Sequence, residues 1–358
     1  MTTIRAAVCH AFGAPLAIET VELRAPLGRE VEVTLEAVAI CHSDISYAEG
    51  YWGGPLPAVY GHEAAGRVSA LGPEARGIGI GQRVLVTLVR ACGDCPSCAA
   101  GRPVACATPD GLAPPIRGGS GAVWKAMNTG AFAERVVVDR SQIVPLPEGI
   151  APEAAALLAC GVITGVGAVV NSARVRPGQD VVVIGSGGVG LNAIQGARIA
   201  GARRIVAVDM TEAKLADARA FGATDGVLAT AAAPWDEARA ILGRGADAVF
   251  VTVGAIPAVE AAPRYLATGG RVVLVGLPAT GAMAAFEPVM VASAGQAIVG
   301  SKMGDAVIAR DIPWMVDLYT QGRLKLDELI SRRWRLEEIN EAIADTKKGA
   351  ARRNVIVF

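Results

Sequence analysis

Residues 1 to about 150 are built from short apolar runs broken by Gly and Pro. Two of these runs, Val31-Glu-Val-Thr-Leu-Glu-Ala-Val38 and Ala133-Glu-Arg-Val-Val-Val-Asp139, are rich in β-branched residues. Such runs predict strands and a compact, largely antiparallel β domain. From about residue 175 the pattern changes. Apolar runs at Val181–Ile184, Ile205–Val208, Ala248–Val253 and Val272–Val275 alternate with alanine-rich helical stretches. Weaker strands are expected at Gly226–Leu228 and Ala297–Val299, making six. This alternation predicts parallel strands joined by helical crossovers, a doubly wound α/β sheet. Past Gly300 the pattern predicts helices over Ile312–Gln321 and Leu336–Thr346, then a closing strand over Asn354–Phe358.

One stretch fits neither half. Ala154–Ala173 holds twenty residues without a charge, with Gly161 and Gly165 at G-x-x-x-G spacing. It is long enough to span a membrane, but Cys160, Thr164 and Asn171 interrupt it and a soluble nucleotide-binding pattern follows. A buried helix crossing between domains is the expectation.

Composition narrows the function classes. Thirty-four basic and thirty-four acidic residues cancel, so no overall field favours nucleic acid or an anionic membrane. The basic stretch Arg332, Arg333, Trp334, Arg335 reads as a solvated face. Seven cysteines are an odd number, and Met1 to Gly13 holds no apolar signal core. Reduced thiols and metal ligation in a cytoplasmic protein are therefore expected rather than disulfides.

Four of the cysteines, Cys92, Cys95, Cys98 and Cys106, fall inside fifteen residues. That spacing gathers thiolates around one point without long-range folding, as a tetrahedral zinc site requires. Four thiolates saturate the metal, so this cluster is a structural staple. A second signal lies in Asp180-Val-Val-Val-Ile-Gly-Ser-Gly-Gly-Val-Gly190, which sets Gly185, Gly187 and Gly190 in G-x-G-x-x-G, with Gly188 and Val189 between them. The string is weak alone in a chain with 43 glycines. Here a strand runs into it and a helix, Leu191–Ile199, runs out, so a pyrophosphate is expected on the helix N-terminus. Asp209 ends the next strand, where a carboxylate accepts from ribose hydroxyls and repels a 2′-phosphate, favouring NAD over NADP.

The chain has three histidines, His10, His42 and His62. His62 stands in Tyr60-Gly-His-Glu-Ala-Ala-Gly66, downstream of Cys41-His-Ser-Asp44, and Cys160 follows the alanine run. A Cys, a His and a Cys could leave a fourth zinc position open, though spacing alone does not bring these three together.

Nearly end to end, the chain resembles the zinc-dependent alcohol dehydrogenases of the medium-chain dehydrogenase/reductase superfamily. The cysteine cluster resembles their structural zinc lobe, G-H-E-x-x-G their catalytic-zinc signature, and the glycine string their coenzyme domain. The closing stretch Gly322-Arg-Leu-Lys-Leu-Asp-Glu-Leu-Ile330, with Glu338-Ile-Asn-Glu-Ala342 and Arg353, resembles their C-terminus. The resemblance implies a GroES-like, mostly antiparallel β catalytic domain over 1–161 and 302–358. It also implies a Rossmann doubly wound coenzyme domain over 162–301, NAD, and two zinc ions per chain. Cys41, His62 and Cys160 would hold the catalytic zinc, with Glu63 an exchangeable ligand and Asp44 orienting His62. Ser43 would pass on the substrate proton. Thr164 and the Val275 to Leu277 segment would flank the nicotinamide, Lys214 would hold the adenosine end, and Arg353 and His42 would serve the pyrophosphate. The implied activity is reversible oxidation of an alcohol to an aldehyde or ketone by hydride transfer, in a homodimer or homotetramer pairing near Ala297.

Four positions depart from relatives. Ser46 stands where many carry a relay histidine, and His42 where some carry an arginine. Asp110 and Trp52 stand where relatives oxidising the glutathione adduct of formaldehyde carry an arginine and an acid, which disfavours that substrate. Ser43, Tyr51, Trp52, Leu88, Trp124 and Leu277 predict a roomy apolar pocket for bulky or aromatic alcohols. Competing readings are a related dehydrogenase of polyols, amino-alcohols or cinnamyl-type substrates, and a non-catalytic protein binding zinc and nucleotide.

Overall fold

The computed structural model describes residues 1–109, 111–119 and 121–358. Chain contacts divide them into two units: Met1–Cys160 with Val307–Thr320 and Leu326–Phe358, and Gly161–Ala306 with Gln321–Lys325.

The first unit opens with β1 (Thr2–Cys9), β2 (Ala17–Leu23) and β3 (Glu30–Ala39). β2 alternates exposed positions with more buried ones, as a strand with one face to solvent should, whereas β3 is buried along most of its length. It is central because other strands flank it on both sides. β4 (Ala58–Val59), β5 (Glu63–Leu71), β6 (Arg83–Thr87), β7 (Ile116–Gly118), β8 (Gly121–Lys125), β9 (Arg135–Asp139) and β10 (Ile143–Pro145) follow. β1, β2, β7, β8 and β4 close into a barrel. Its interior merges with the face of β3 and β9 into one apolar core around Phe132, Leu23 and Ile40.

A helical rod, Pro152–Ala173, then carries the chain from the first unit into the second. It is long and apolar enough to cross a membrane, yet 89% of its most apolar window is buried within the protein. The rod is not uniform. It is α-helical over Pro152–Leu157, widens to a π turn over Leu158–Val162, returns to α over Ile163–Gly167 and widens again over Ala168–Ala173. Its G-x-x-x-G spacing serves close packing: a Cβ on Gly165 would stand 2.4 Å from the Val189 carbonyl oxygen.

In the second unit β11 (Asp180–Ile184), β12 (Arg204–Asp209), β13 (Asp225–Leu228), β14 (Ala246–Val251), β15 (Leu266–Leu274) and β16 (Ala297–Gly300) form one parallel sheet. The spatial order is β13-β12-β11-β14-β15-β16, the doubly wound order whose crevice lies beyond the carboxyl ends of the strands. β11 reads Asp-Val-Val-Val-Ile and is buried throughout, as a strand covered on both faces must be.

The chain returns to the first unit in a helix, Ile308–Thr320. It begins four residues before the expected Ile312 although Pro313 lies inside it and cannot donate an i→i−4 bond; at its start the Asp311 carboxylate accepts the Val307 N–H at 2.9 Å. β17 (Ile330–Trp334) and β18 (Arg353–Val357) complete the larger sheet, ordered β10-β6-β5-β3-β18-β17 with β9 also on β3. The sequence reading kept 302–358 in one body. Instead, residues 302–306 and 321–325 belong to the second unit, where Gln195 accepts the Lys325 N–H at 2.7 Å and donates to its carbonyl at 3.1 Å.

Candidate active site and metal centres

Asp44 organises the first centre. It is the third residue of the short helix His42–Ala48, and its Oδ2 accepts the Cys41 N–H at 3.0 Å, capping that helix. Its Oδ1 accepts the Gly61 N–H at 2.8 Å and lies 2.9 Å from His62 Nδ1. One buried carboxylate thus keys the helix start to the loop before β5 and turns His62 so that Nε2 points away from it. His62 is fully buried, and Nε2 has no hydrogen-bond partner among the described residues. A polar ring nitrogen is not left orphaned in a core without cause. The cause is its company: one ligand atom each from Cys41, His62, Glu63 and Cys160 lie within 4.8 Å of one another, all buried.

The electrostatics fit a dication. The hydrogen bond from Cys160, with His62 and Arg353 close by, holds the Cys41 thiol well below its usual range. Cys160 is pushed the opposite way by Cys41 and by burial. Burial lowers His62, but the Asp44 carboxylate outweighs it and raises the imidazole well above its usual range. Packed dry beside the low-lying Cys41, the Cys160 thiol and the His62 imidazole retain protons that a zinc ion would displace. Zinc therefore fits this donor set, with Cys41, His62 and Cys160 as ligands and Glu63 beside them.

Arg353 has a place the sequence reading did not foresee. It was expected at a pyrophosphate. It is buried in the first unit, where its Nη2 donates to both carboxylate oxygens of Glu63 and its Nη1 lies 3.4 Å from the Ile40 carbonyl. The physical reason is that Glu63 is completely buried and requires a countercharge. Burial still pushes the Glu63 carboxyl up, against the pull of Arg353. Nothing in the sequence flagged this pair, whose members are 290 residues apart.

The cysteine cluster forms the second centre. Cys92 Sγ lies 3.9 Å from Cys98 Sγ and 3.7 Å from Cys106 Sγ. A tetrahedral zinc site with bonds of about 2.3 Å places its sulfurs about 3.8 Å apart. The Cys95 N–H donates to Cys92 Sγ at 3.3 Å and the Cys92 N–H to Cys106 Sγ at 3.4 Å, as suits thiolates. All four sulfurs converge within 4.8 Å, so this donor set also fits zinc and leaves no vertex for substrate.

The glycine string lies in the second unit, at the carboxyl end of β11. Gly185 adopts φ +94°, and a Cβ on Gly190 would sit 1.8 Å from the Gly185 carbonyl oxygen, so the turn tolerates only glycine at both. Around Gly187, the N-cap of the helix Gly188–Ile199, a Cβ would meet nothing within 4 Å. That open space faces the positive end of a twelve-residue helix. Ser186 Oγ is buried there without a hydrogen-bond partner among the described residues. Asp209 is anchored beside it, accepting the Ser186 N–H at 2.5 Å and the Met210 N–H at 2.7 Å. The space, the helix end, the orphan hydroxyl and the fixed carboxylate fit a dinucleotide.

The chain matches the alcohol dehydrogenase GroES-like domain over residues 28–148 and the zinc-binding dehydrogenase family over residues 188–321. It is 34% identical to an NDMA-dependent alcohol dehydrogenase of Amycolatopsis methanolica, covering 99% of this chain and 98% of that protein. The protein belongs to the zinc-dependent alcohol dehydrogenases of the medium-chain dehydrogenase/reductase superfamily. Geraniol dehydrogenase of Castellaniella defragrans is 35% identical to this dehydrogenase, over 99% of this chain and 97% of its own. The crystal structure of benzyl alcohol dehydrogenase from Acinetobacter calcoaceticus superposes with a TM-score of 0.94 at 29% identity, covering both chains completely. The fold is the GroES-like domain plus Rossmann domain of that superfamily.

Other expected residues of this dehydrogenase are distributed as follows. Ser43 and Ser46 are half-buried on the helix that starts at Cys41, and His42 is exposed. Thr164 is buried, with Oγ1 3.7 Å from Met303 Sδ. Lys214 lies in the first turn of the helix Glu212–Phe221, capped by Thr211. Val275 is buried, whereas Leu277 is exposed. Of the pocket candidates in the first unit, Trp52 packs edge-on against Tyr47 at 5.0 Å, Leu88 is half-buried, and Tyr51 and Trp124 are exposed. Asp110 lies outside the described residues.

Proposed function

We propose that this protein oxidises a primary or secondary alcohol, bulky or aromatic, to its aldehyde or ketone with NAD, and runs the reverse reduction. The observation that carries this reading is the dry Cys41, His62 and Cys160 set around an orphaned His62 Nε2, in a chain that also presents a dinucleotide turn. When bound, zinc supplies the Lewis acid for the alcohol oxygen and NAD the hydride acceptor. The chain's own residues do the rest. Asp44 holds the His62 tautomer and ring. Ser43, the residue before Asp44 on the same helix, receives the substrate proton on its hydroxyl, and with Ser46 in place of a histidine the proton leaves through water. Asp209 accepts from the adenosine ribose and disfavours a 2′-phosphate.

Support for a bulky substrate comes from the exposed Tyr51 and Trp124 and from relatives named for geraniol and benzyl alcohol. A homodimer or homotetramer accompanies the reading. β16 ends the parallel sheet, and the segment before it exposes Met283, Phe286, Val289 and Met290. The deciding experiment follows NADH formation across short, long-chain, branched and aromatic alcohols with zinc-replete protein, with and without NDMA as acceptor. Turnover that favours benzyl and long-chain alcohols over ethanol in kcat/KM is expected. Silence across the panel with two zincs per chain refutes the reading, and an ethanol preference refutes the substrate class.

A further inference from the structure

The π turn at Leu158–Val162 interrupts an α-helical rod, and Cys160 is its central residue. Such turns are rare and sacrifice regular i→i−4 bonding, so they need a local cause, often a side chain inserted into the ladder. That side chain is Thr87. It is the last residue of β6 and completely buried, and its Oγ1 donates to the Ala159 carbonyl at 2.6 Å. A polar residue closing the apolar run Val84-Leu-Val is the one sign of it in the sequence.

Strand register explains why Thr87 reaches this point. It stands directly opposite Glu63 in the antiparallel β5–β6 pair, and residues directly opposite share a face of the sheet. Glu63 and Cys160 both belong to the metal cluster. Thr87 therefore points from the same face into the rod one residue before Cys160. Its own backbone is pinned in turn. Gln142, also fully buried, donates from Nε2 to the Thr87 carbonyl at 2.8 Å and to the Asn128 carbonyl at 3.2 Å. Each residue of an α-helix turns by about 100°. A one-residue change in register at this turn would swing Cys160 by about that angle relative to the residues that follow it.

We infer that Thr87 is a positioning residue for Cys160: its hydroxyl captures the Ala159 carbonyl and holds the π turn that aims the sulfur into the cluster. This rests on the reading of Cys160 as a zinc ligand. Thr87 touches neither substrate nor cofactor; it acts through the peptide before the ligand, as residues behind metal ligands do.

The test uses Thr87→Val, which keeps the shape and removes the hydroxyl, and Thr87→Ser, which keeps the hydroxyl. Full-length protein is titrated with zinc under chelator competition and with Co²⁺, read by the thiolate-to-cobalt absorption bands, with the four-cysteine cluster as internal reference. Thr87→Val is expected to bind about 10–100-fold more weakly at the Cys41, His62 and Cys160 site with altered bands, while the four-cysteine cluster is unchanged. Thr87→Ser is expected to match the wild type within about twofold. A Thr87→Val protein with wild-type affinity and spectrum overturns the inference. So does a Thr87→Ser protein that binds about tenfold or more weakly than the wild type, a comparison that stands even if Thr87→Val does not fold. Wild-type protein that takes up only one metal per chain refutes the zinc-ligand reading itself, a distinct outcome.

Discussion

Arg353→Met removes the guanidinium that faces Glu63 while keeping most of the volume. Glu63 is 0% exposed and Arg353 6%, so the variant leaves a buried carboxylate without its countercharge. Breaking a buried pair in this way costs about 3–5 kcal/mol. In a unit of about 200 residues, 1 kcal/mol moves Tm by about 2–4 °C, so the expected loss is about 6–20 °C. The sign with pH follows from the carboxyl. Stripped of Arg353, Glu63 has a folded pKa well above its unfolded value, so protonation relieves it. The deficit should therefore be largest at pH 8 and shrink towards pH 5.5. Glu63→Gln combined with Arg353→Met removes both charges and should recover most of the loss, because replacing both partners of a buried pair is often near neutral. The assay is thermal unfolding by circular dichroism at the two pH values on protein whose Cys41, His62 and Cys160 site is free of metal, so that no zinc ion offsets the Glu63 charge. A single variant within about 3 °C of wild type, or a double variant no better than the single, refutes the account of Arg353 as the countercharge of Glu63.

Three further outcomes are expected. Asp209→Gly, which removes the carboxylate fixed beside the glycine turn, should relax the preference for NAD over NADP; unchanged discrimination in kcat/KM removes Asp209 from cofactor choice. Cys98→Ala should lower zinc content from two to one per chain and destabilise the cysteine lobe, because metal binding there supplies folding energy; two zincs by elemental analysis refute the closed site. Zinc uptake by metal-free protein should strengthen with pH. Cys41 is already held low, so the protons displaced come from His62 and Cys160, both raised. Chelator competition at pH 6, 7 and 8 should show roughly tenfold per pH unit for each proton displaced, and a flat response refutes the apo protonation pattern.

Much was legible because it is local. The four cysteines close a metal site within fifteen residues, and the glycine turn needs only a strand before it and a helix after it. The six parallel strands announce themselves as apolar runs because both faces are covered. Boundaries shifted where side chains, not periodicity, set them. The helix at Ile308 starts early, with Asp311 accepting the Val307 N–H, and residues 321–325 leave the first unit because Gln195 clamps Lys325.

By itself, the sequence determined the two kinds of domain, the structural metal staple and the dinucleotide turn, since each depends on residues close together in the chain. Resemblance supplied the open zinc ligands, which spacing could not join. Only the tertiary structure brought Cys41, His62, Glu63 and Cys160 within 4.8 Å, set Asp44 behind His62, and placed Arg353, expected at a pyrophosphate, in a buried ion pair with Glu63. Strand register, which pairs Ala39 with Glu63 and Glu63 with Thr87, and the burial of charge, which obliges every buried carboxylate to find a partner, are properties of the folded chain. Neither is written in any single stretch of residues.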